Sequence, residues 1–96
     1  MKKRAKKKQS TRRRSRAEVM TVLAEALREE FPNDTVDVSD GYRENIHVMV
    51  VSRRFDDMVE QEKHAWLWSI IDRTDLTATQ KRLISLVLPL SPSEIK

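Results

Sequence analysis

Residues 46–68 read "IHVMVVSRRFDDMVEQEKHAWLW", and within them the apolar spacing changes from two to about four. Ile46, Val48 and Val50 alternate with His47, Met49 and Val51, so residues 46–52 read as a strand with two different faces. Arg53 to Asp57 is a corner. Beyond it, Val59, Trp66, Leu67, Ile70 and Ile71 share one face of a helix over 58–73, with His64 and Trp68 together on its flank. Asp56 or Asp57 stands where an N-cap is expected, and the early acids suit the positive end of the helix dipole.

Working backwards, "TVDV" at 35–38 is β-branched and alternating. It is joined to the second strand by "SDGYREN", which holds the only glycine, Gly41. So short a connection predicts an antiparallel hairpin, because parallel strands need a longer crossover. A first helix begins at Ser15 and Glu18, an S-x-x-E capping box in which each side chain accepts from the other's backbone N–H. Val19, Val22, Leu23, Ala26, Leu27 and Phe31 then mark one apolar helix face, and Pro32 stops the helix.

Working forwards, "DRTDLTATQKR" carries a turn and one short helical turn. "LISLVLPL" at 83–90 is a near-continuous apolar run, the pattern of a buried strand, ended by Pro89 and Pro92. The order is α-β-β-α-β. A strand–helix–strand crossover places the third strand parallel to the second. The expected fold is therefore an α+β two-layer sandwich, with two helices on one face of a three-stranded mixed sheet.

Charge divides the chain. Residues 1–16 hold ten Lys or Arg and no acid, leaving nine Lys or Arg against fifteen Asp and Glu, a net of −6, in the other eighty residues. Residues 1–14 read as a disordered basic arm and residues 15–96 as the folded domain. The chain has no cysteine, which excludes disulfides, thiolate nucleophiles and cysteine-held metals. No run of about 18 apolar residues spans a bilayer, and the basic start lacks the apolar core of a secretory signal. The expected location is cytoplasmic: nucleoid-associated, or nuclear if the source is eukaryotic.

On these residues the chain resembles the BolA family. Its "VSRRF" strand end is followed nine residues later by His64 and four further on by Trp68, where BolA-like proteins show "VSxxF", a spacer of that length, a histidine and a tyrosine. "ISLVLPLSPSEI" is similar to the family's closing segment. The resemblance covers residues 15–96 and implies an α/β fold related to the type II KH arrangement. Phe55, His64 and Trp68 fall on family motif positions. Three departures stand out. The family's last-strand histidine falls on Ile84, its glycine-containing patch after Phe55 reads "DDM", and about four extra residues precede the final strand.

The resemblance implies a non-enzymatic regulator or adaptor in transcription and stress response. It also implies a partnership with monothiol glutaredoxin in iron–sulfur trafficking or redox signalling, which is the alternative reading. Ile84 cannot ligate a shared [2Fe–2S] cluster, and His47 is the one weak metal candidate, so no cofactor is expected. The sequence shows no nucleophile–base pair, phosphate-cradling glycine loop or metal triad, and no small-molecule substrate or membrane partner is expected. A KH-type RNA clamp needs a G-x-x-G loop, which a chain with one glycine lacks.

The primary expectation is nucleic-acid binding, DNA before RNA, with the arm supplying salt-dependent affinity through Lys2, Lys3, Arg4, Lys6, Lys7, Lys8, Arg12, Arg13, Arg14 and Arg16. Arg53, Arg54, Lys81 and Arg82 are expected to join them by gathering near the ends of the second and third strands. Trp66 is expected in the core, and His64 is expected to seat its helix on the sheet.

Overall fold

The computed structural model describes residues 13–95. The expectations made for Lys2, Lys3, Arg4, Lys6, Lys7, Lys8 and Arg12 lie outside the described residues. Three helices and three strands follow in the order α1 (Arg16–Glu30), β1 (Thr35–Asp40), β2 (Ile46–Val51), α2 (Glu60–Asp72), α3 (Ala78–Lys81) and β3 (Ile84–Leu90). The sheet order is β1-β2-β3, with β1 antiparallel and β3 parallel to β2. The α+β architecture with a three-stranded mixed sheet is therefore present.

Helix α1 starts where its capping box predicts. Ser15 Oγ accepts from the Glu18 N–H at 3.1 Å, and Glu18 Oε1 accepts from the Ser15 N–H at 2.8 Å. Val19, Leu23, Leu27 and Phe31, each four residues after the last, are fully buried. They meet Ile46, Val48 and Val50 from β2 and Leu67, Ile70 and Ile71 from α2 in one core. The alternate residues His47, Met49 and Val51 lie on the other face of the sheet and are only half-buried.

Strand β3 corrects the expectation of a strand buried on both faces. A register shift between Ile46/Ile84 and His47/Leu86 leaves Ser85 as an extra residue. The bulge lets Ile84 and Val87 both point into the core, while Leu86 turns to the open face and is 40% exposed. Pro89 pairs with Val50 on this edge strand, where a missing N–H leaves no ladder bond broken on the outer side.

Helix α2 begins later than expected, and neither Asp56 nor Asp57 caps it. Phe55 is fully buried, and pulling its ring inward winds Arg53–Phe55 into a 3-10 turn that uses Asp56 as its own C-cap, so both aspartates fall short of the helix N-cap at Val59. The chain extends again at Val59, whose N–H donates to Glu62 Oε1 at 3.2 Å. Val59, expected on the apolar face, is 61% exposed. The short helical turn expected near residue 80 is α3, where Thr77 and Gln80 cap one another.

Lys63 is the residue on α2 whose burial the spacing did not foretell; it is 3% exposed. Its Nζ donates to both oxygens of Glu94 at 2.9 and 3.1 Å, fastening the turn after β3 to α2. The hydrogen bond that Lys63 donates to Glu94, with a further one to Glu60 and the Coulomb attraction of both carboxylates, outweighs burial and raises the Lys63 pKa. The Ser91 N–H and then Lys63 hold the Glu94 carboxyl below its ordinary value. Glu94 thus contributes stability that is full above the ordinary glutamate range and disappears as pH falls through its lowered folded value. The Lys63 contribution is full below the ordinary lysine range and is lost as pH rises through its raised value. Thermal melts from neutral pH into acid should therefore fall more steeply for the wild type than for Glu94→Gln, the two curves converging in acid. Parallel curves would remove the clip from the account.

Candidate nucleic-acid interface

The root of the basic arm is bolted to the domain. Arg14, assigned to a disordered arm and to phosphate binding, has a side chain only 5% exposed. It donates to Asp75 Oδ1 at 2.6 Å and to Gln80 Oε1 at 3.3 Å. Arg16 is likewise engaged. Its Nε donates to the Glu44 carbonyl at 2.6 Å, and its Nη2 to the Asn45 carbonyl at 3.2 Å and to the Asp40 carboxylate. Both guanidiniums act as brackets, one toward α3 and one toward the β1–β2 connection. Arg13, beside them, is exposed.

The connection braced by Arg16 is tightly wound. The Gly41 N–H donates to the Asn45 carbonyl at 2.7 Å, and the Asn45 N–H to the Tyr42 carbonyl at 3.1 Å. Between them Arg43 and Glu44 hold left-handed backbone, with φ of 55° and 69°. Gly41 sits against the His47 ring, and a Cβ there would lie 2.5 Å from Nε2, so any larger residue displaces the imidazole. Tyr42 is 73% exposed, and the Arg43 guanidinium carbon lies 5.3 Å from its ring centre. Sequence reasoning overlooked both residues, although an aromatic–arginine pair after the sole glycine was available as a signal.

Strand β3 starts at the same end of the sheet, since the Ile46 N–H donates to the Leu83 carbonyl at 2.8 Å. Arg82, one residue earlier, is exposed, whereas Lys81 pairs with Asp72 at 3.2 Å. Arg13, Arg43 and Arg82 are thus three exposed arginines at the arm's end of the sheet, without an ion pair among the described residues.

Arg53 and Arg54 do not join them. Parallel pairing sets the residues after β2 and those before β3 at opposite ends of strands roughly 17–20 Å long. Arg54 is also taken up internally. Its guanidinium carbon lies 4.9 Å from the Phe31 ring centre and 4.7 Å from that of Trp66, and it donates to the Glu30 carbonyl at 2.7 Å and carboxylate at 3.1 Å.

The motif residues have structural surroundings. Phe55 packs with Phe31 and Trp66, ring centres 5.6 and 5.5 Å away. Trp66 is half-buried rather than central to the core, and Trp68 also packs from its edge. The His64 ring nitrogens lie 3.0 Å from the Glu60 carbonyl and 3.1 Å from the Val87 carbonyl on β3, so the imidazole ties α2 to the edge strand.

Ile84 faces the core. No group of three His, Cys, Asp or Glu that could hold a metal ion occurs among the described residues. No helix among them is long and apolar enough to cross a membrane. An open groove of about 960 Å³ runs between α1 and the C-terminal end of α2. Glu25, Glu29, Glu30 and Asp75 line it against Arg28 and Arg73, a balance that disfavours phosphate. The chain matches no protein-family model, no curated protein and no solved structure.

Proposed function

We propose that the protein is a non-enzymatic, BolA-like adaptor that binds nucleic acid through its basic N-terminal arm and the sheet end from which the arm departs. One observation carries the reading. Arg14 and Arg16 clamp the arm's root to the domain, so the cations that precede them start from a fixed place beside Arg13, Arg43 and Arg82. A clamped origin gives the cationic segment a defined starting point on the domain surface. The net −6 of residues 17–96 opposes a polyanion elsewhere, so this end is where phosphate is tolerated.

Replacing Arg13, Arg43 and Arg82 together by Gln should weaken binding to a random-sequence duplex. It should also reduce the slope of log affinity against log salt by about 2 to 3, close to one for each phosphate left without its arginine. Arg53→Gln at the far end should leave both quantities unchanged. Fluorescence anisotropy across a salt series measures them, and equal effects at the two ends would refute a localised interface.

A further inference from the structure

Resting on the nucleic-acid reading above, we propose that Tyr42 and Arg43 form a stacking site for an unpaired base, so that single-stranded nucleic acid is the favoured ligand. An exposed tyrosine alone would signify little. Here, however, the ring stands on a backbone that the fold constrains from both sides. Arg43 and Glu44 occupy consecutive left-handed conformations, which side-chain-bearing residues adopt only when their surroundings hold them there. Arg16 supplies that hold by donating to the Glu44 and Asn45 carbonyls, and the His47 imidazole fills the space under Gly41.

The loop's shape is therefore fixed by the same residue that fixes the arm's root. Tyr42 leaves most of its ring in water, and no ring other than its own lies near it among the described aromatic pairs. Arg43 sets a cation against that ring, where it can meet a phosphate or the edge of a stacked base. An unpaired base offers a π-face to such a platform whatever its identity, while the arm follows the neighbouring phosphates. Bases inside a duplex are already stacked on one another and cannot reach the ring.

The test compares full-length protein binding to a fluorescent single-stranded oligonucleotide and to the duplex of the same length, by anisotropy over a salt series. Tyr42→Ala should weaken single-strand binding about tenfold, leave duplex binding unchanged and leave the salt slope unaltered. Tyr42→Phe should bind as the wild type does, since it keeps the ring. An unaffected Tyr42→Ala, an equal loss on duplex, or an equal loss in Tyr42→Phe would each overturn the stacking site. Deleting residues 2–12 separates the two readings. If deletion weakens binding and Tyr42→Ala does not, the arm remains and the stacking site falls; if neither weakens binding, both fall.

Discussion

Removing residues 2–12 should lower the affinity for a random-sequence duplex by on the order of a hundredfold or more at about 50 mM salt. The segment carries seven cations, Lys2, Lys3, Arg4, Lys6, Lys7, Lys8 and Arg12. If each meets a phosphate, the slope of log affinity against log salt should fall in magnitude by about 6 on deletion. Arg13, Arg43 and Arg82 remain to meet about three phosphates, whereas Arg14, Arg16, Arg54 and Lys81 add little because each is paired with a carboxylate of the domain.

The position of the cut matters. Helix α1 and its Ser15 cap lie beyond residue 12, so the shortened protein should melt as the full-length one does. Cutting two residues further removes Arg14 and leaves Asp75 and Gln80 without its guanidinium, which should cost about 1.5–3 kcal/mol of stability. Melting and anisotropy on the two truncations thus distinguish the binding segment from its anchor. Unchanged affinity after removal of residues 2–12 would take the arm out of the account.

The elements that local spacing governs were readable in the chain. The four-residue stripe from Val19 to Phe31, the Ser15–Glu18 box and the alternation of β2 each follow from geometry within a few residues. Contacts across the chain were not readable in that way. Lys63 lies on a charged stretch of α2 where Glu60 offers it one local partner at 3.4 Å, but the larger compensation for its burial comes from Glu94, 31 residues later. Asp56 and Asp57 have the composition of caps, but the demand of Phe55 for the core decides the chain's path. The misplacement of Arg53 and Arg54 has a different origin. A parallel β2–β3 pair, already expected, implies that residues following one strand and preceding the other lie at opposite ends. The arm was legible as charge alone, and composition could not reveal that Arg14 and Arg16 secure it.

Phe55→Ala should destabilise the domain by about 3–5 kcal/mol, a large part of the roughly 5–15 kcal/mol that holds a typical domain together. The ring is fully buried between Phe31 at the end of α1 and Trp66 in α2, so its loss opens a cavity where three segments meet. Phe55→Leu, which refills much of that volume, should cost considerably less. Arg54 covers the same cluster from the solvent side. Arg54→Ala should cost about 1–2 kcal/mol through its two ring contacts and its bonds to Glu30. Urea unfolding followed by tryptophan fluorescence measures all three, with Trp66 as a reporter inside the cluster. The decisive comparison is between stability and binding. Removing a guanidinium that roofs an aromatic cluster lowers stability and leaves nucleic-acid affinity alone, whereas removing one that meets phosphate does the reverse. Full stability with weakened binding in Arg54→Ala would return this arginine to the interface and place a second contact at the far end of the sheet.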